Sequence, residues 1–143
     1  MEIRRAIPDD VSGIEEIEQQ SFSDPWSRSD INSYVTSSSG MCFVATEGGQ
    51  VIAYLLGRII APEGEIYRIA TRSTHRRRGV GYRLLSYSLK TERGRGLEIT
   101  FLEVRSKNRD AISLYTSYGF ERIGQRKNYY KNPDDDAVLM MLS

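Results

Sequence analysis

The 143-residue chain has one cysteine, Cys42, and one histidine, His75. A single thiol excludes an internal disulfide framework. One cysteine and one histidine also cannot furnish the ligand set of a structural zinc site, and no metal is expected. Charge of one sign is equally scarce. Twenty Lys and Arg nearly balance nineteen Asp and Glu, for a formal net charge of +1. The total therefore gives no reason to expect direct binding to nucleic acid, and attraction to an anion has to be local. Long apolar runs are missing too. "VIAYLLGRII" is broken by Gly57 and Arg58 and is too short to cross a bilayer, so no membrane partner is expected. The opening "MEIRRAIPDD" carries charge where a secretory leader needs an apolar stretch. The cytoplasm is the expected location. No repeat, low-complexity segment or linker interrupts the chain, so residues 1–143 read as a single domain.

What is present is a regular alternation of strand and helix patterns. "MEIRRAI" alternates weakly and predicts a first strand. Val11, Ile14, Ile17 and Glu18 predict a helix with Ile14 and Ile17 on its buried stripe. Ser27 and Asp30 have the spacing of a capping-box variant and predict a short second helix over "SRSDINSYV". The clearest signal is a hairpin: Cys42 to Thr46, a turn at Gly48 and Gly49, then Val51 to Ile60. Gly57 inside the second arm marks a bulge or a close backbone approach. "APEG" predicts a turn, and "EIYRIAT" a fourth strand from Glu65 to Thr71. A helix over Gly81 to Arg93 places Leu84, Leu85, Ser88 and Leu89 inside and stops at Gly94 and Gly96. "LEITFLEV" reads as a central fifth strand. Asn108 caps the next helix, which ends at Gly119. Phe120 to Gly124 begins a sixth strand, and "AVLMML" forms a seventh. The fold class is α/β: one mixed, mostly antiparallel sheet with helices on both faces.

"HRRRGVGYRLL", from His75 to Leu85, sets three arginines and two glycines at the mouth of a helix. The first turn of a helix leaves N–H groups without acceptors, and its dipole favours a negative ligand. Glycines let the backbone turn tightly and let phosphate oxygens come close. Arg76, Arg77 and Arg78 add charge, although not all three can face one ligand. The spacing is not a P-loop, because no lysine followed by Ser or Thr is present. Nor is it a dinucleotide fingerprint, which follows a first strand and needs an acid about twenty residues on; position 101 is Phe. A phosphate-containing cofactor is the preferred ligand. A solvated glycine turn, a sulfate-like anion and nucleic-acid phosphate are the weaker readings.

Arg76-x-x-Gly79-x-Gly81 after the strand "IYRIAT" resembles the acetyl-coenzyme A signature of the GCN5-related N-acetyltransferase superfamily. "LEVRSKNRDAISLYTSYGF", then "NYY" and "DDDAVLMML", with "IEEIEQQSFSDPWS" near the front, are similar to the ribosomal protein S18 alanine N-acetyltransferases and related N-terminal acetyltransferases. The likeness spans nearly the whole chain. It implies the acetyltransferase fold, with the sheet splayed at the cofactor site, and acetyl-CoA as cosubstrate. It places Arg76, Arg77, Arg78, Gly79, Val80, Gly81 and Tyr82 around the cofactor pyrophosphate. It also implies that the fourth and fifth strands diverge after Ala70 and Val104, leaving Ile69, Ala70 and Thr71 to bond the pantetheine arm. Asn108 and Tyr115 contact the cofactor by the same likeness. Two departures stand out. "TRSTH" occupies a turn that is often acidic or proline-containing in the family, and Ser23–Asp24 precede Pro25–Trp26 in the front loop.

The chemistry needs a neutral amine, and a protein α-amine has a reference pKa of about 8. A base removes its proton, and an acid protonates the leaving thiolate. Glu103 is the base candidate. Strand alternation puts it in phase with Leu97, Ile99 and Phe101, an apolar set. Its ordinary alternative is a strand-end acid paired with Arg105 or Lys107. Glu65 is the runner-up, with Tyr67 on the same face. Tyr115 is the acid by resemblance; from spacing alone it is a core tyrosine between Leu114 and Tyr118. The resemblance also sets Phe22, Trp26, Tyr34, Tyr129 and Tyr130 on the peptide side, where aromatics offer apolar walls with polar handles. Cys42, on a strand with no histidine near it in sequence, reads as a small buried residue. The implied activity is acetyl transfer to a protein N-terminus, with the N-terminal alanine of ribosomal protein S18 as the nearest substrate by resemblance. Acetylation of a small-molecule amine and noncatalytic sensing of acetyl-CoA stand as the alternatives.

Overall fold

The computed structural model describes residues 1–143. Its centre is the hairpin of β2 (Gly40–Glu47) and β3 (Gln50–Ile60), paired antiparallel from Gly40↔Arg58 to Glu47↔Gln50. Both arms are apolar on both faces because helices cover both faces. Met41, Phe43 and Ala45 join one core cluster with Leu84, Leu85 and Leu89, while Cys42 and Val44 join a second with Ile14, Ile17 and Ile31.

The first cluster lies under α3 (Val80–Arg93) and α4 (Arg109–Tyr118); the second lies under α1 (Val11–Ser21) and α2 (Arg28–Thr36). The remaining strands are β1 (Glu2–Arg5), β4 (Glu63–Thr71), β5 (Ile99–Arg105), β6 (Glu121–Tyr130) and β7 (Asp135–Leu142). All seven form one open sheet in the order β1-β2-β3-β4-β5-β7-β6. Every neighbouring pair is antiparallel except β4 and β5, which the α3 crossover makes parallel. The mixed sheet with helices on both faces is the one expected from the pattern. Ser27 and Asn108 cap as expected: the Ser27 side chain accepts from the Asp30 N–H, and Asn108 from that of Ala111.

Several boundaries differ from the sequence reading, three of them at the site. β6 runs on past Gly124 to Tyr130; it is a mostly exposed edge strand, so no buried face imposes a readable alternation on it. β5 starts at Ile99, and Leu97 fills the core from the preceding turn. Glu63 and Gly64 belong to β4 rather than to the turn.

Gly57 is both a bulge site and a close approach. The β3–β4 register pairs Gly57 with Ile66 but Leu56 with Arg68, which leaves Tyr67 as an extra residue on β4. A Cβ on Gly57 would sit 2.4 Å from the Glu65 carbonyl oxygen. A bulge bends its strand and sharpens the local twist. The parallel ladder to β5 ends at this point, with Ile66↔Leu102 as its last pair. β4 beyond Ile66 and β5 beyond Leu102 therefore diverge. The splay opens several residues earlier than Ala70 and Val104, because the bulge at Tyr67 turns the rest of β4 away.

A Gly57→Ala substitution cannot be absorbed by a flexible side chain, since the obstacle is backbone. It is expected to lower stability by about 3 kcal/mol, read from the midpoint of urea unfolding at unchanged m-value.

Candidate active site at the divergence of two parallel strands

The divergence opens a cleft of about 1350 Å³ that reaches from the mouth of α3 to the loop between α1 and α2. At the α3 end, Gly79 adopts the left-handed conformation (φ 74°, ψ 13°) that glycine takes at no steric cost, and it forms the helix N-cap. The first helical bond of this turn runs from the Arg83 N–H to the Gly79 carbonyl. The N–H groups of Val80, Gly81 and Tyr82 thus have no acceptor within the helix. Gly81 serves packing as well: a Cβ there would lie 3.2 Å from Leu114 of α4. Val80 turns its side chain into the core, and Tyr82 packs against Tyr118 with ring centres 5.3 Å apart.

The three arginines divide. Arg76 and Arg77 line the cleft, and Arg76 Nε donates to the Thr71 carbonyl at 3.1 Å. Arg78 does not line it; its guanidinium lies 3.9 Å from Glu47, at the end of β2. Arg78 thus stands apart from Arg76 and Arg77, on the side of Glu47. Ile69, Ala70 and Thr71 form the β4 edge of the cleft, and Asn108 and Tyr115 border it from α4. The Thr71 carbonyl, however, is already taken by Arg76.

Glu103 lies where β5 loses its partner β4. Its face carries the apolar Ile99 and Phe101 expected from alternation, but it is only half-buried. Thr100, Leu102 and Val104 are the buried set, whereas Ile99, Phe101 and Glu103 are half-buried and face the open side. Glu103 is 26% exposed and pairs with Arg126 of β6 at 3.5 Å, not with Arg105 or Lys107. Arg105 instead donates to the Lys131 and Pro133 carbonyls and stacks on Tyr130, which holds the β6–β7 turn in place. Tyr129 and Tyr130 close that side, with ring centres 5.0 Å apart. The Glu103 charge raises the pKa of the Tyr129 phenol. Burial, then Glu103, pushes Tyr130 up to about 12. Tyr115 is buried, and that burial raises its phenol pKa, with Tyr130 adding to the effect. All three phenols are thus protonated at neutral pH.

The opposite wall is aromatic. Trp26 stacks on Tyr34 at 5.0 Å, and Tyr67 packs against both. Tyr34 stands behind Trp26 rather than on the cleft surface, whereas Phe22, Trp26, Glu65 and Tyr67 line it. Burial and then the charge of Glu103 raise the pKa of Glu65, with Arg58 opposing.

Sequence reasoning missed the polar residues beneath this wall. Glu18 is fully buried and accepts from the Tyr54 hydroxyl and the Trp26 N–H, at 2.5 and 2.8 Å. Arg68 Nε lies 3.5 Å from Glu18. A usable signal existed for Glu18, which lies one turn after Ile14 on the buried stripe. Arg68 had none, because the bulge moves it to a face that simple alternation does not assign.

The chain was compared with known proteins by sequence and by fold. Residues 11–120 match the model of the acetyltransferase (GNAT) family. The chain belongs to the GNAT acetyltransferase family. This GNAT chain is 32% identical over 138 residues to the Escherichia coli K12 [ribosomal protein bS18]-alanine N-acetyltransferase, covering 93% of this chain and 90% of that one. It is 35% identical over 137 residues to the N-alpha-acetyltransferase RimI of Mycobacterium tuberculosis, covering 92% and 85%. The crystal structure of the ribosomal-protein-S18-alanine N-acetyltransferase from Escherichia coli superposes with a TM-score of 0.91 at 30% identity, over 99% of this chain and 92% of that one. No helix of the chain is long and apolar enough to cross a membrane.

The raised pKa of Glu65 has a testable sign. An acid whose folded pKa exceeds its unfolded value, about 4.3, binds more protons when folded. Its ionisation costs stability as pH rises through the folded pKa, and the cost vanishes below the unfolded one. Glu65→Gln is expected to raise the melting temperature at pH 7 and to leave it nearly unchanged at pH 4.

Proposed function

We propose that this GNAT enzyme transfers an acetyl group from acetyl-CoA to the α-amine of a protein N-terminus. The N-terminal alanine of ribosomal protein S18 is the substrate favoured by its relatives. One observation carries the reading. A helix mouth with free N–H groups and two arginines shares a single cleft with Glu103 and Tyr115, at the point where two parallel strands part.

The donor set fits a diphosphate. The N–H groups of Val80, Gly81 and Tyr82 point out of the helix start, Gly79 and Gly81 keep the backbone approachable, and Arg76 and Arg77 add positive charge. The unpaired edge of β4 lies between this mouth and the reacting end, so its backbone orients the pantetheine arm. Acetyl-CoA supplies an activated thioester carbonyl. Glu103 takes the proton of the incoming ammonium, directly or through water, and the neutral amine then attacks that carbonyl. As the C–S bond breaks, Tyr115 donates its phenolic proton to the departing sulfur, and the surplus proton on the acylated nitrogen passes through water to restore the phenol. Burial of Tyr115 keeps the phenolic proton in place until the thiolate forms. Phe22, Trp26, Tyr67, Tyr129 and Tyr130 form the two walls between which the peptide end lies, with Tyr34 supporting Trp26 from behind.

The decisive experiment incubates the enzyme and acetyl-CoA with short peptides bearing free or blocked α-amines and locates the product acetyl by fragmentation. An acetyl group on the α-amine alone is expected. Transfer to lysine or only to polyamines, or cofactor binding without turnover, overturns the reading. Glu103→Gln is expected to lower kcat by about 10² to 10³ and to flatten its pH dependence, with cofactor affinity kept. Tyr115→Phe is expected to slow transfer by about tenfold or more at unchanged melting temperature. Wild-type rates at saturating substrates in either variant remove that residue from the chemistry.

A further inference from the structure

Four residues, one from α1 and three from the loop after it, converge on one guanidinium in the cleft. Arg68 sits just after the β4 bulge and is 12% exposed. Its Nε lies 3.5 Å from the fully buried Glu18, and its Nη2 donates to the Asp24 carbonyl at 2.8 Å. Its guanidinium carbon stands 4.0 Å above the Phe22 ring and 5.4 Å from the centre of Trp26. The segment between α1 and α2 has no helix or strand of its own from Phe22 to Ser27. It is held from below by Arg68 and from behind by Glu18, which takes the Trp26 N–H.

A buried ion pair adds little net stability over apolar packing, because desolvation offsets the attraction. Stability alone therefore does not account for an arginine under this loop. A planar guanidinium does something an apolar residue cannot: it stacks on an aromatic face while its edge donates in fixed directions. Arg68 stacks on Phe22 and donates to the Asp24 carbonyl, so it ties two residues of the loop to β4, and its ion pair with Glu18 ties it to α1.

We propose that Arg68 is a positioning residue that sets the shape of the peptide side of the cleft by clamping the Phe22–Trp26 loop onto the bulged strand. The proposal rests on the reading of that loop as a peptide wall. Its primary readout does not, because Trp26 is the only tryptophan in the chain and reports on the loop directly.

The test compares wild type with Arg68→Lys, Arg68→Met and the double variant Glu18→Gln/Arg68→Met. The double variant leaves no unpaired buried charge if the single one fails to fold. Trp26 fluorescence and its quenching by acrylamide are measured on free enzyme. Coenzyme A affinity is measured by calorimetry, and KM and kcat with a peptide bearing a free N-terminal alanine. Without the clamp, Trp26 emission shifts to the red and quenching increases. Peptide KM rises by about tenfold, while kcat and coenzyme A affinity stay within about threefold. Arg68→Lys recovers only part of the quenching protection, because it keeps the charge but loses the stacked plane. Wild-type emission and quenching in a folded double variant overturn the clamp, whatever the activity. Altered Trp26 signals with unchanged peptide KM show that the loop is held but does not shape peptide binding, which also overturns the proposal. Absence of peptide turnover in the wild type would instead refute the function proposed above and leave the fluorescence to decide the clamp.

Discussion

The cleft depends on one residue too many in β4. Opposite Gly57 the strand accommodates Tyr67 as an insertion, and the ladder to β5 stops at the pair before it. A regular β4 would continue its parallel pairing, and the backbone groups of residues 67–71 and 103–105 would be consumed by each other. Gly57 makes the insertion sterically possible, since any Cβ there would meet the Glu65 carbonyl. The separated strand ends then become walls of a cavity. The residues lining the cleft inherit their positions from that separation: Glu103 is the first β5 residue without a β4 partner, and Tyr67 and Arg68 are the first on the other side.

The second constraint is electrostatic and local. A chain with near-zero net charge concentrates cations at the start of α3 and then distributes their duties. Arg78 answers Glu47, Arg76 spends its Nε on the Thr71 carbonyl, and Arg77 is held at a positive φ of 64° in the turn itself. The anion field at this mouth therefore comes from oriented N–H groups as much as from side chains. On the other half of the cleft, Glu65, Glu103 and the phenols of Tyr129 and Tyr130 crowd together, and each raised pKa there traces to burial or to a neighbouring carboxylate. One half suits an anion and the other an ammonium, which is the polarity an acetyl donor with a diphosphate and an amine acceptor require.

Much of this was legible because short-range physics dictates it. Ser27 and Asn108 cap the helices where their spacing puts them, Gly79 sits where a left-handed residue is needed, and the apolar arms of the β2–β3 hairpin needed cover on both faces. Gly57 was legible as an interruption, but not its consequence for β5, because that depends on a register set by two other strands. The extent of β6 was not legible, since an exposed edge has no buried face to impose a period. The division of labour among Arg76, Arg77 and Arg78 was not legible either. It depends on Glu47, which is distant in sequence and adjacent only in the folded sheet.

Glu18 and Arg68 show the same limit from the opposite direction. A carboxylate on the buried stripe of an amphipathic helix contradicts its surroundings unless a partner arrives from elsewhere. Here the partners are Tyr54 from β3, Arg68 from β4 and the backbone of Trp26. None of them lies in the helix that carries Glu18, so the conflict is resolved only when sheet and loop assemble. The bulge completes the resolution. Had β4 kept strict alternation after Ile66, Arg68 would have faced the α3 side of the sheet, among Leu84, Leu85 and Leu102, with no acid to meet it. The irregularity that opens the cleft is therefore the same one that delivers the arginine to its carboxylate, and it joins the opened strand edge to the loop between α1 and α2.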